Sequence, residues 1–505
     1  EDILTMPPQS KKSNKSFGGV IEEDDVEEED KNDEEVEDGK EKEASANETV
    51  PIDTNIYYFQ ELDDANFYNS GLEELEENAF LRLKGLTFLN LSTNRLTHLQ
   101  ANVFNGLESL DNLDISFNLI NSIHPMAFDN LEKLTKINLS YNGIKSLKYE
   151  TFNKLTNLKE IFISGCGIDF ENPMFEQNFF AHFKQLKKLD LSMNSIKKVS
   201  TQLLDGLLNL ETLYLGNNEI EQLDSALFET SAFTLLEELI LNNNKIRLIL
   251  PIAFKNLTNL RELDLNGNML EVIEDNTFEC LYNLKTLNLS SNMIREIKPN
   301  AFNQLKKLIR LELGQNSLRQ LESNTFKPLE KLETLVLSSN KIKYLMPDCF
   351  SGLVNLQKLI LTANLIEQLD DISLFKDLAS LKELFLFKNK IRHISHEILQ
   401  RLTKLANFDL SENLLKVLNE NTFENLKDLK TLTLRLCRVQ SIQPKAFNDL
   451  NNLTILKMSG SRLKHLPEFA FIDLNSLESL TLDNSRIRSI DSNAFNCLFK
   501  LKDLN

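Results

Sequence analysis

The 505-residue chain has no tryptophan and only five cysteines. Cys166, Cys280, Cys349, Cys437 and Cys497 are too few and too scattered for a disulfide framework, and they form no cluster at either end. Glycine is limited to 15 residues, and no phosphate-cradling glycine loop, nucleophile elbow or paired-carboxylate signature occurs. The six histidines offer one close pair, His393 and His396, with no cysteine or carboxylate cluster at metal-ligand spacing. No run of eighteen apolar residues exists, so no membrane span is expected within the chain. These absences exclude the usual routes to catalysis. The chain reads as a non-enzyme with no cofactor and no metal.

Charge is abundant but uneven. The net charge is −19, and the first fifty residues supply −12 of it, with eighteen acidic side chains against six basic ones. Residues 1–50 therefore read as a disordered acidic tail, because almost nothing in Glu22 to Glu43 is apolar enough to collapse. Such a tail fits a solubilising role, a basic partner, a weak cation sponge or an extension with no specific task. Past the tail, charges of both signs are interspersed. No basic stripe appears, which argues against nucleic acid as a partner.

The remaining sequence is dominated by one phrase, Leu-x-x-Leu-x-Leu-x-x-Asn-x-Leu/Ile, repeated about every 24 residues from Leu86. Leu284-Lys-Thr-Leu287-Asn-Leu289-Ser-Ser-Asn292-Met-Ile294 is a clear instance. Seventeen complete units begin between Leu86 and Leu477. A single unit cannot bury its apolar face alone, so the period predicts a solenoid of stacked coils. The predicted fold class is an α/β-type leucine-rich solenoid: a curved horseshoe with a parallel β-sheet on its concave face and loops or short helices on the convex side.

Each place in the phrase has a physical role. The Leu-x-Leu alternation turns two side chains inward from a short parallel strand, leaving the intervening residue to face solvent. Asparagine holds the ninth place in thirteen units, where its amide can donate and accept as the chain leaves the strand. Cys166, Cys437, Ser461 and Ser485 replace it, three of them in consecutive final units, so the C-terminal coils are expected to be looser. Six residues before most frame leucines stands a phenylalanine, Phe80 through Phe495, predicted to stack as an aromatic spine of the core. Leu204 and Leu399 substitute in two coils, and Phe228 serves in the unit before Leu236. The cysteines occupy places that suit small buried residues and read as structural.

Segment 51–80 carries Leu62, Ala65, Phe67, Ser70 and Leu72 at the same places and reads as a degenerate N-terminal cap, with the solenoid proper over 81–505. Leu501-Lys-Asp-Leu504-Asn505 starts a further unit that breaks off, which predicts a fragment of a longer chain.

The fifth place of each frame should face outward on the concave sheet. It is mostly polar, with two interruptions: Phe162, Tyr214 and Ile240, and then Val336, Ile360 and Phe385, joined by Phe387 on the same strand. Adjacent strands lie about 4.8 Å apart, so the second set is predicted to form a continuous apolar strip rimmed by charge. Both sets are candidate partner-binding surfaces; the alternative is that such residues merely favour strands. Two long units, of 28 residues from Leu158 and 26 from Leu210, flank the first set.

Asn14, Asn47, Asn90, Asn138, Asn256, Asn288 and Asn452 stand in glycosylation triplets, although the repeat itself generates three of them. They support secretion.

Units such as Ala301-Phe302 through Leu318 resemble the typical 24-residue leucine-rich repeats of extracellular animal proteins, among them Toll-type ectodomains, chaoptin, slit and the acid-labile subunit of the insulin-like growth factor complex. The resemblance covers Leu62 to the end. It implies an extracellular protein, secreted or at the cell surface, that recognises a protein ligand or receptor in adhesion, innate immunity or ligand carriage, and it leaves room for a homo- or heterodimer. It departs from those families in lacking cysteine-rich caps. The alternatives are an ectodomain fragment of a Toll-like or other membrane-anchored receptor and, last, an intracellular scaffold.

Overall fold

The computed structural model describes residues 62–505 apart from Lys145, 169–178, 200–203, Asp205, 224–227, 229–232 and Pro251. The acidic tail with Asn14 and Asn47, the first part of the cap segment and most of the insertion in the 28-residue unit lie outside the described residues.

Every frame folds into a three-residue strand whose central leucine, isoleucine or phenylalanine is buried and whose neighbours are more open. Leucine at places four and six cannot both point inward unless the backbone is extended between them. These seventeen strands, preceded by Asp64–Asn66 and followed by the two-residue Asp503–Leu504, pair in chain order into one 19-stranded parallel sheet. The register is constant: Ala65 opposes Leu89, Leu287 opposes Leu311, and Leu480 opposes Leu504. On the far side of the coils, seven short two-stranded ladders join successive pairs of units. Short helical turns occur at Tyr149–Phe152, Phe179–His182 and His396–Leu399. This is the horseshoe solenoid expected from the period.

The phenylalanine spine forms as expected. Rings from Phe254 to Phe375 stack at centroid spacings of 6.1–6.4 Å and are essentially inaccessible to solvent. Leu204 and Leu399 are fully buried where they replace it. In the 28-residue unit Phe179, Phe180 and Phe183 are all buried, with Phe179 edge-on to Phe152 at 5.3 Å; three rings fill the extra turn.

The asparagine ladder sews coil to coil. Asn292 accepts the Leu270 amide at 3.0 Å and donates to the Leu265 carbonyl at 2.9 Å, both in the preceding unit, and the other twelve repeat this arrangement with distances near 3 Å. These side chains are buried, so each bond satisfies a backbone group that water cannot reach. Cys166 and Cys437 reproduce the donor half, with thiols 3.3 and 3.2 Å from the Leu139 and Leu410 carbonyl oxygens.

A further column was not expected from the sequence. The residue just before each ladder position has a left-handed backbone, with φ between 52° and 71° from Thr93 to Asn484. Asparagine and glycine suit that conformation, whereas other residues cost roughly 1–2 kcal/mol there.

Candidate functional site

On the concave sheet the fifth-place residues do project outward, half-buried against their neighbours. Seven of the polar members are nevertheless pinned. Asn90, Asp114, Asn138, Asp190, Asp264, Asn288 and Asp409 each use Oδ1 to accept the backbone N–H two residues on, at 2.8–3.1 Å. In several of them the same oxygen also accepts a serine hydroxyl, as Asp114 does from Ser116 at 2.6 Å. The fifth place is thus a strand-exit cap as well as a solvated surface.

The apolar fifth places give up that cap. Phe162, Tyr214, Ile240, Val336, Ile360 and Phe385 have no carboxamide or carboxylate to offer, and a bond of this kind is worth about 0.5–1.5 kcal/mol. They fall in the two places expected. Val336 opposes Ile360, which opposes Phe385, so the three side chains lie side by side across neighbouring strands, with half-buried Phe387 next to them. The Lys358 amine lies 2.7 Å from Glu383 and 5.2 Å from the Phe385 ring centre, so this strip is charge-neutralised internally.

The first set is built differently. Phe162 and Tyr214 flank the strand of Lys188, whose amine lies 6.0 and 5.2 Å from the two ring centres. Lys136 covers Phe162 from the other side at 5.2 Å and pairs with Glu160 at 3.3 Å. Phe162, Lys188, Asp190, Tyr214, Gly216 and Ile240 line a shallow depression at this point of the sheet. Burial pushes the Tyr214 hydroxyl above its ordinary value, and burial likewise raises the Asp264 carboxyl two strands further on.

Beside this depression the left-handed column carries bulky residues that sequence reasoning passed over. Phe117 and Tyr141 stack at 4.3 Å and remain 52% and 36% exposed, followed by Met193 at 46%. The Tyr141 ring lies over Gly165, where a Cβ would collide with it, and the hydroxyl meets the Met193 sulfur. Their variable residue types hide the column; only the fixed step of one residue before the ladder position marks it.

Among the triplet asparagines, Asn452 is exposed and donates to the Lys427 carbonyl, while Asn256 is half-buried and donates to the Phe228 carbonyl. Asn90 and Asn288 commit Oδ1 to the strand exit, and Asn138 also donates to Asp114 at 3.3 Å. His393 and His396 are exposed, on a short strand and a helical turn. Among the described residues no group of three or more His, Cys, Asp or Glu side chains could hold a metal ion, and no helix is long and apolar enough to cross a membrane.

The coils, the single parallel sheet and the asparagine ladder define the class: a parallel-strand solenoid. The leucine-rich repeat family model matches residues 68–168 and 174–505 in overlapping copies, and the chain belongs to that family. A leucine-rich repeat protein of Leptospira interrogans is 24% identical, with a TM-score of 0.61 over 89% of this chain and 97% of that one. A chain of the Drosophila Toll–Spatzle complex, in its glycosylated form, is 21% identical with a TM-score of 0.73. That match covers 85% of this chain but only 59% of the other, so the present chain spans less than two thirds of it. A search of curated proteins finds no match.

Proposed function

We propose that this chain is a non-enzymatic, extracellular recognition protein that binds a protein partner on its concave sheet. One observation carries the reading: at two stretches of a column in which seven Asn or Asp side chains cap the strand exit, the fifth place instead holds a half-exposed apolar side chain. Folding alone gains little from that exchange, whereas a partner that covers the strip gains apolar contact. The contact residues are Val336, Ile360, Phe385 and Phe387 in one strip and Phe162, Tyr214 and Ile240 in the other. The first coil, in which Ala65 of the strand Asp64–Asn66 and Leu75 are buried, serves as the end cap in this reading. Extracellular placement draws support from the glycosylation triplets, the exposed Asn452 in particular.

The test is a screen of the chain against displayed extracellular proteins, repeated with an Ile360→Asp/Phe385→Asp variant of unchanged melting behaviour. Binders that lose at least tenfold in affinity support the reading, and binders indifferent to the variant overturn it for this strip. Mass spectrometry of material from a secretory host reads glycan occupancy directly.

A second reading, the ectodomain of a membrane-anchored receptor, takes its support from the likeness in fold to the Toll–Spatzle chain. The reading frame beyond Asn505 separates the two.

A further inference from the structure

Lys188, like Lys457, is a strand lysine of the concave sheet with no ion pair among the described residues, and it alone of the two rests against aromatic rings. It stands at the third place of its frame, half-buried, between the strands of Glu160 and Thr212. Glu160 is taken by Lys136. Asp190, two residues along the same strand, is turned to the strand exit, where one oxygen accepts both the Ser192 amide and its hydroxyl at 2.9 and 2.6 Å. Among the described residues no carboxylate lies within ion-pair distance of the Lys188 amine, which rests instead against the Phe162 and Tyr214 rings.

The other strip closes the same lysine-over-ring arrangement with an ion pair. There Lys358 sits over Phe385 in the same way but is bound by Glu383 at 2.7 Å. A half-buried ammonium that has lost part of its water and holds two ring faces and the Tyr214 hydroxyl keeps open positions for a charged hydrogen-bond acceptor. An incoming carboxylate would find a charged donor in a setting of reduced dielectric, where such a bond is strongest.

Resting on the reading of the concave face given above, we infer that the Phe162–Lys188–Tyr214 patch selects a partner segment bearing an aspartate or glutamate flanked by apolar side chains. The carboxylate meets Lys188, and the flanking residues lie on Phe162, Tyr214 and Ile240. The exposed Phe117–Tyr141 stack and Met193 stand on the turn edge of nearby coils and extend the apolar footing. Three strands at the spacing of a parallel sheet cover about 10–14 Å, the reach of three to four extended residues.

The experiment selects random twelve-residue peptides with blocked termini from a display library on the whole chain. The expected result is enrichment of Asp or Glu beside aromatic or aliphatic residues, with affinity falling at least tenfold in Lys188→Gln and largely restored in Lys188→Arg. Lys188→Glu should redirect selection toward Lys or Arg. Selected peptides without acidic bias, or ones bound equally by the wild type and Lys188→Gln, overturn the inference, as does failure to select any peptide. Peptides lost in the Ile360→Asp/Phe385→Asp variant but indifferent to Lys188→Gln overturn the inference while upholding recognition by the concave face. Melting curves of each variant guard against misfolding, and the Arg variant keeps the test decisive should Gln destabilise the coil.

Discussion

The Cys437 thiol reaches the Leu410 carbonyl oxygen at 3.2 Å, where one unit earlier the Asn413 amide reaches the Leu386 carbonyl at 2.9 Å. Asn413 also accepts the Ile391 amide at 2.9 Å, and a thiol in the reduced, protonated state makes no comparable acceptor. Cys437→Asn is therefore expected to stabilise the C-terminal coils by about 1 kcal/mol, the net worth of one hydrogen bond. The converse change, Asn292→Ala, strands two buried backbone groups and should destabilise by about 2–4 kcal/mol. Chemical denaturation of the purified variants measures both.

Asp264 gives a pH dependence of definite sign. Burial raises its carboxyl above the ordinary 3.8, so the folded chain holds that proton more tightly than the unfolded chain does. Its contribution favours the fold at low pH, is lost as pH rises through 3.8 toward the raised value, and is unfavourable above it. Asp264→Asn keeps the 2.8 Å acceptor for the Asn266 amide, as Asn90 and Asn288 do in their own coils. It should raise the melting temperature at pH 7 and bring no gain at pH 3; a gain independent of pH would refute the assignment.

The thiols should divide by reactivity. Burial pushes Cys166 up to about 11 and Cys437 up to about 12, and raises Cys349 further still. Cys280 and Cys497 are only half-buried. Iodoacetamide at pH 8 should modify those two in the folded chain and all five after denaturation, counted by mass spectrometry.

Truncating the spine should be costly wherever a ring is stacked on both sides. Phe302 lies 6.2 Å from both Phe278 and Phe326, and Phe302→Ala is expected to cost about 3–5 kcal/mol. Phe117→Ala, at an exposed left-handed position, should leave stability within about 0.5 kcal/mol. Paired denaturation curves test the contrast.

The period, the inward leucines, the thirteen ladder asparagines and the spine were legible in the sequence because each is a repeated contact between identical places of neighbouring coils. So was the alignment of Val336, Ile360 and Phe385, which follows once the register is constant. The want of an ion pair at Lys188 was not legible: whether Glu160 turns to Lys136 or to Lys188 is decided by side-chain geometry, and both lie on adjacent strands. The strand-exit role of Asp114 and Asn288 was also hidden, since an outward polar residue looks the same whether solvated or pinned. Tyr141 escaped notice because the left-handed column fixes a backbone angle and leaves the residue type free.

Leu204 and Leu399 separate three runs of ring-on-ring contact, Phe80 to Phe183, Phe228 to Phe375 and Phe423 to Phe495. Coils joined by stacked rings share a stiffer seam than coils joined through a leucine. Pulled from its ends, the molecule should lengthen in discrete steps, yielding first at those two leucine coils, so that it behaves as a short chain of stiff blocks linked by softer joints.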